Sequence, residues 1–327
     1  MKNLFRILFA TILFGALFMV SCTKEEEEDP PVENKNFATL KSYLMSNDMD
    51  LPKILDGWIT TAEVVYTADT SADTSDDFYI IDIRSASDYA TQHIAGSVNS
   101  KLEDVVATAA NSGGKPIVVV CYTGQGASHA VVGLRLSGFP TAKVMKWGMS
   151  GWNSTKDSWT PSVSDIGSSH ANWEAPTGNL GTLVDYGDPV IESSATDGAA
   201  LLTERVAAML KAGFQGVAAI DVLDNNGDYF INNYWIIDAV THYGHIKGAV
   251  RIKPLSLKDG QYKNYNPTKT AVTYCWTGQT SSMVTAYMNV IGYKAKSLKF
   301  GANGMIHSTL TTHKWSASLA KDYPLVP

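Results

Sequence analysis

Apolar residues along the chain fall into short runs separated by polar, glycine-containing turns, and the same order of runs occurs twice. In the first half Phe78-Tyr79-Ile80-Ile81 ends at Asp82, and Ile117-Val118-Val119-Val120 ends at Cys121. Such runs, rich in β-branched and aromatic residues, predict strands buried on both faces. After Cys121 the period changes. Ala127, Ala130, Val131 and Leu134 recur at helical spacing, and Gly138 is placed to stop the helix. A further strand around Val144-Met145 leads to a glycine turn. In the second half Tyr234-Trp235-Ile236-Ile237 ends at Asp238, and Ala271 to Tyr274 ends at Cys275. A helix carrying Met283, Val284, Tyr287, Met288 and Ile291 follows, with Gly292 as its stop and Leu298-Lys299 as the last strand. Strands alternating with helices predict an α/β fold: two domains, each a mostly parallel sheet flanked by helices, with the loops gathered at the carboxyl ends of the strands.

The two halves correspond motif by motif. Trp58-Ile59-Thr60-Thr61-Ala62-Glu63-Val64-Val65 is echoed by Gly216 to Leu223, and Phe78–Asp82 by Tyr234–Asp238. His93-Ile94-Ala95-Gly96-Ser97-Val98 matches His245-Ile246-Lys247-Gly248-Ala249-Val250, and Cys121-Tyr122-Thr123-Gly124-Gln125 matches Cys275-Trp276-Thr277-Gly278-Gln279. Trp147-Gly148-Met149-Ser150-Gly151 matches Phe300-Gly301-Ala302-Asn303-Gly304, and all the offsets lie between 152 and 158 residues. Collinear matches at a nearly constant offset mark a tandem duplication.

Of the 327 residues, 45 % are hydrophobic and 18 % charged, which excludes wholesale disorder. The formal charge is −6 and no stripe of Lys and Arg occurs, so nothing supplies the phosphate-neutralising surface of a nucleic-acid partner. Lys2 and Arg6 precede an apolar stretch, Ile7 to Val20, too short to span a bilayer stably, which predicts a signal peptide over residues 1–21. Phe18-Met19-Val20-Ser21-Cys22 resembles the lipobox of bacterial lipoproteins. That resemblance implies lipidation at Cys22 and a lipid-anchored place in the bacterial cell envelope, periplasmic or surface-exposed. Loss of Lys2 and Arg6 would leave 24 basic against 32 acidic residues, a charge of −8. Residues 22–36, with Lys24-Glu25-Glu26-Glu27-Glu28-Asp29 and Pro30-Pro31, form an extended acidic tether. Residues 37–160 and 201–327 form the two domains. Residues 161–200, rich in Ser, Thr and Gly, link them, and Trp159 and Trp173 predict a connection docked across both domains.

Each half places a cysteine where a buried strand meets a glycine-containing loop that opens a helix. Free amides and the partial positive charge at a helix N-terminus favour a thiolate there. The loops Gly124-Gln125-Gly126 and Gly278-Gln279-Thr280 can curl so that successive amides surround one anion, a cradle suited to a persulfide.

Asp at a strand end, His-Ile-x-Gly-Ala/Ser, Cys-x-x-Gly-x and Gly-x-x-Gly after the last strand together resemble rhodanese domains, and the chain resembles the tandem-domain sulfurtransferases. The resemblance implies transfer of sulfane sulfur from a small donor, of thiosulfate or mercaptopyruvate type, to a thiol or cyanide through a cysteine persulfide, without a cofactor. It implies Cys275 and Cys121 as the catalytic residues. The persulfide-binding loops are then Tyr122, Thr123, Gly124, Gln125 and Gly126 in the first half and Trp276, Thr277, Gly278, Gln279 and Thr280 in the second, through their amides. Cys275-Trp276-Thr277-Gly278-Gln279-Thr280 fits the tandem-enzyme form better, whereas Gly126 replaces the threonine in the first half, so Cys275 is the first choice.

Two departures bear on this reading. Asp238-Ala239-Val240 stands where the first half has Asp82-Ile83-Arg84, and neither cysteine loop contains Lys or Arg, which predicts poor use of thiosulfate. The alternative is a persulfide carrier or sulfur-sensing module without turnover. A phosphatase of the same fold would need Arg six positions after the cysteine, where Ala127 and Ser281 stand. A Cys121–Cys275 disulfide is disfavoured because the two cysteines occupy the same position in separate pockets. His93 and His245 read as structural, His129 as a solvent-facing helical residue, and Tyr122 and Trp276 as pocket rims. His242 and His245 lack companions at metal-ligand spacing, so no metal is expected. The turn at Asp224-Asn225-Asn226-Gly227-Asp228 lacks the first ligand of a calcium loop. The sequence leaves the oligomeric state open.

Overall fold

In a computed structural model, the described residues are 35–67, 77–176 and 179–327. The signal-peptide and Cys22 assignments and residues 22–34 of the tether lie outside them, whereas residues 35 and 36, also assigned to the extended tether, open the first helix. The first half runs through helices α1 (Lys35–Ser46) and α2 (Leu51–Ile54), strand β1 (Ile59–Thr60), α3 (Ala62–Thr67), β2 (Tyr79–Asp82), α4 (Ala86–Thr91), β3 (Val98–Asn99), α5 (Val105–Ala109), β4 (Ile117–Val120), α6 (Gln125–Leu136), β5 (Lys143–Met145) and α7 (Met149–Trp152). The second half contains β6 (Trp173–Glu174), α8 (Gly198–Lys211), β7 (Gly216–Val217), α9 (Ala219–Asp224), β8 (Tyr229–Asn233), α10 (Ile237–Tyr243), β9 (His245–Ile246), β10 (Thr270–Tyr274), α11 (Gln279–Val290) and β11 (Ala295–Leu298).

Both halves build the same parallel sheet. The first has the order β1-β5-β4-β2-β3 and the second β7-β11-β10-β8, with a parallel bridge between Asn232 and Val250 in the place of β3. In each, the central strand that ends at a cysteine is flanked by two others and buried along most of its length. Helices cover both faces, as continuous apolar strands require.

The second-half register differs from expectation. Tyr234–Asp238 is not a strand. Pairing with β10 selects the preceding run, Tyr229–Asn233, and Asp238 lies exposed in α10. The two runs are adjacent and both apolar, so local pattern does not separate them. The buried asparagines decide it. Asn232 donates to Tyr265 Oη at 2.6 Å and accepts from Ile252 N at 2.8 Å, while Asn233 Oδ1 accepts from Trp235 N at 3.0 Å. These bonds offset part of the cost of burying two amides; Asn233 Nδ2 is buried without a partner among the described residues. Asp82 therefore corresponds to Asn233, and Arg84 to Trp235. Similarly, Thr60 corresponds to Val217, one residue away from the sequence match.

The helices that follow the cysteines, α6 and α11, pack on one another and on α8. Their side chains join one apolar core that includes Leu40, Leu134, Leu210, Val284 and Tyr287 and is shared by the halves, while each half also buries a cluster of its own, around Ile80 and Val118 in the first and Ile231 and Val272 in the second. Gly133 allows the contact: a Cβ there would come within 2.9 Å of Leu210. The same packing buries His129 completely, against Phe214 at 6.2 Å between ring centres, which corrects the solvent-facing expectation. Burial pushes its pKa down to about 4, with the backbone of Met209 opposing. Trp159 is buried among Trp147 and Trp315, and the connection places β6 antiparallel to β9.

Candidate functional site

Each cysteine sits at the carboxyl end of its central strand, and a second glycine turn locks the loop that follows. Cys121 O accepts from Met149 N at 2.8 Å, and Cys275 O accepts from Ala302 N at 2.9 Å. Gly148 and Gly301 make this approach possible. Both have positive φ (61° and 54°), and a Cβ at Gly301 would lie 2.2 Å from Cys275 O and 2.8 Å from Gly278 N. No other residue fits there.

With the loop held, its amides turn on the sulfur. Cys121 Sγ accepts from Gly124 N at 3.1 Å and Ala127 N at 3.3 Å. Cys275 Sγ accepts from Ser281 N at 3.3 Å. The amides of Ala127 and Ser281, the sixth residues after each cysteine, lie just beyond the loops assigned from sequence. They are the first-turn donors that a strand–loop–helix connection leaves free. Both cysteines are buried free thiols, 6 % and 3 % exposed.

The surroundings of the two sulfurs differ. Burial pushes the Cys121 thiol up, and the amides of Ala127, Thr123, Gly124 and Gly126 oppose it. The expectation of a lowered pKa is corrected at this position, because enclosure outweighs the cradle. At Cys275 the surroundings are polar. Its Sγ lies 3.5 Å from Ser281 Oγ, which shares a hydrogen bond with Ser297 Oγ at 2.8 Å. Alanine 127 offers no such hydroxyl in the first half.

The loop residues divide by direction. Tyr122 is exposed at the rim, its hydroxyl bonded to Asp88. Asp88 has its pKa held down by hydrogen bonds from Ser85 and Tyr122. Trp276 lies between Trp235, stacked at 4.5 Å, and His313 at 5.5 Å, so it both packs and forms the rim. Thr277 and Gly278 are buried in the turn, while Thr123, Gly126 and Thr280 are partly buried.

Gln125 and Gln279, whose backbone amides are assigned to the sulfur site from sequence, point their side chains into the opposite half. Gln125 Oε1 accepts from Phe300 N at 2.8 Å, and Gln279 Nε2 donates to Thr123 O at 3.1 Å. Ser282 Oγ adds a bond to Gln125 O at 2.8 Å. The two cysteine loops are thus joined back to back.

Sequence reasoning missed the cations near Cys275. Arg251 and Lys253 follow the His-Ile-Lys-Gly turn and reach the loop leaving β8: Arg251 Nε donates to Trp235 O at 2.8 Å, and Lys253 Nζ to Tyr234 O at 3.3 Å. Lys253 also lies 4.9 Å above the Tyr234 ring. Burial pushes its pKa down, and attraction to Cys275 opposes this. Tyr234 is pushed up to about 12, chiefly by burial and then by Cys275. Their signal was Arg251-Ile252-Lys253 itself, which alternates within an otherwise apolar stretch. In the first half Arg84, which stands where the second has Trp235, pairs with Asp82 at 2.6 Å, both side chains buried.

His93 bonds Tyr89 O through Nδ1 at 3.0 Å and stacks on that ring. His245 is buried, its pKa pushed down by burial with the Asn179 backbone and Glu174 opposing. Among the described residues no cluster of His, Cys, Asp or Glu is disposed to hold a metal.

No curated protein matches the chain. Among solved structures, a thiosulfate sulfurtransferase from Pseudomonas aeruginosa is 14 % identical, with 87 % of this chain and 49 % of that chain covered and a TM-score of 0.29. The present chain thus spans about half that protein's length. Another, described as a probable thiosulfate sulfurtransferase, is 13 % identical over 77 % of this chain and 98 % of its own, with a TM-score of 0.26. The rhodanese-like domain family matches residues 65–155 and again 202–306, more than half of the chain and both cysteine loops. The protein therefore belongs to the rhodanese family and carries its domain twice, in tandem.

Proposed function

We propose that this chain is a sulfurtransferase that carries sulfane sulfur as a cysteine persulfide, with Cys275 as the principal catalytic residue and Cys121 as the second. The observation that carries the reading is the enclosed sulfur at the end of each central strand, with amides of the following helix aimed at it. Such amides stabilise a terminal persulfide anion as they would any small anion. In the reaction, the Cys275 thiolate attacks the outer sulfur of the donor. The bond from that sulfur to the rest of the donor breaks, and its electron pair leaves with sulfite from thiosulfate, or with pyruvate enolate from mercaptopyruvate. An acceptor thiolate or cyanide then takes the outer sulfur and the cysteine thiolate is regenerated, with no net oxidation of the protein.

A second reading, a persulfide carrier or sensor, is favoured at Cys121, where burial raises the thiol. Anchoring to the bacterial envelope through lipidated Cys22 belongs to the same proposal, and labelling of the wild-type chain but not of Cys22→Ser with a radioactive fatty acid tests it. The catalytic reading is tested by steady-state transfer to cyanide with thiosulfate and with mercaptopyruvate, in wild type, Cys121→Ser, Cys275→Ser and the double variant. Expected are strong loss in Cys275→Ser and none remaining in the double variant. Undiminished turnover in the double variant would overturn the enzyme reading. A stable gain of one sulfur atom without turnover would establish the carrier.

A further inference from the structure

We propose that Arg251 and Lys253 form an anion clamp that orients the charged end of the sulfur donor beside Cys275, so that donor loading is faster in the second half of the chain than in the first. The inference rests on the proposed function and specifies where, and by which residues, its donor is held.

Position comes first. The carbonyls of Tyr234 and Trp235 lie in the loop leaving β8, next to the strand that ends at Cys275, and each holds one of the two cations. Trp235 stacks directly on Trp276, the residue after Cys275, so the guanidinium and ammonium stand at the wall of this site. Availability comes second. Arg251 uses only Nε in binding Trp235 O, and among the described residues its two Nη groups carry no hydrogen bond. Neither Arg251 nor Lys253 enters an ion pair among the described residues. Two half-buried cations close enough to repel one another, with no carboxylate between them, present a ready site for a carboxylate or an oxyanion.

The first half provides the contrast. Arg84 is consumed by Asp82 and Gln92 O, and Lys101, at the place corresponding to Lys253, faces Glu103 at 3.8 Å. Where the first half has Arg84 the second has Trp235, and the free guanidinium comes from Arg251 on the neighbouring segment. With the clamp in place, thiosulfate is a good donor for Cys275, contrary to the expectation drawn from loops without Lys or Arg.

The test uses the full chain with thiosulfate as the probe. For Arg251→Gln and Lys253→Met the expected result is a rise in KM of about tenfold each, and about a hundredfold together, with kcat little changed. Wild-type kcat/KM falls with rising salt, the double variant loses that dependence, and Lys253→Arg restores most of the affinity. A merely structural role would lower the melting temperature without this KM split or the salt response. Independently, titration calorimetry of thiosulfate into Cys275→Ser, with and without the two substitutions, reads binding in the absence of turnover. Equal affinity in both proteins, or persulfide loading of Cys275 at unchanged thiosulfate concentration in the double variant, would overturn the clamp and leave the functional reading standing. If wild-type Cys275 gains no sulfur from any donor, the functional reading fails, and the calorimetric comparison still decides the clamp.

Discussion

Replacing Arg84 by methionine asks whether the first half's conspicuous cation is scaffold or site. Its Nη2 lies 2.6 Å from Asp82 Oδ2 and its Nε lies 3.1 Å and 3.0 Å from the two carboxylate oxygens, while Nη2 also donates to Gln92 O at 2.8 Å. The side chains are 2 % and 0 % exposed. Removing one partner leaves a carboxylate in apolar surroundings without its compensating charge, which costs about 3–5 kcal/mol. Exchanging both partners, Asp82→Asn with Arg84→Met, leaves no buried charge. The asparagine oxygen can still accept from the amide of residue 84, as Asn233 does from Trp235 N in the second half. The double variant should therefore be at least about 2 kcal/mol more stable than Arg84→Met alone. Urea unfolding at neutral pH measures the difference, and sulfur loading at Cys275 from thiosulfate should be unchanged in every folded variant. Arg84→Met within about 1 kcal/mol of wild type, or single-variant costs that simply add, would refute the assignment of this pair to the scaffold.

Three further perturbations separate the parts of the site. Gly301→Ala drives a Cβ into Cys275 O and the amides of Gly278 and Thr277 at positive φ, so a cost of about 2–4 kcal/mol and at least a tenfold slower persulfidation of Cys275 are expected in denaturation and stopped-flow mass measurements. Gln125→Ala leaves Phe300 N without its acceptor and should cost about 1–2 kcal/mol, more than Gln279→Ala, since Thr123 O keeps its bond from Trp159 Nε1; thermal unfolding ranks the two. His129, held neutral with a pKa of about 4 against about 6.5 unfolded, contributes stability that is full above pH 6.5 and is lost as pH falls toward 4. The difference is about 3 kcal/mol, so wild type should lose that much more than His129→Leu between pH 7 and pH 4 in urea titrations.

The two cysteine sites differ in what surrounds the shared elements. Both keep the strand, the amide cradle and the glycine lock. Only the second adds the Ser281–Ser297 hydroxyl pair and two unpaired cations. The cross-bonded glutamines tie the two cradles together.

The sequence by itself determined the duplicated strand–cysteine–loop–helix unit, because buried-run length, helical spacing and the glycine stops at Gly138 and Gly292 are local properties of the chain. It likewise determined where each sulfur sits, since a helix start always leaves amides free. Tertiary structure decided the rest. The register of β8 depended on partners for Asn232 and Asn233, the burial of His129 on the arrival of the second half, and the outward turn of Gln125 and Gln279 on a backbone some 150 residues away. Arg251 and Lys253 became part of the Cys275 site only when the carbonyls of Tyr234 and Trp235 fixed them there. Each of these outcomes is set by which distant groups meet, and no local pattern encodes that pairing.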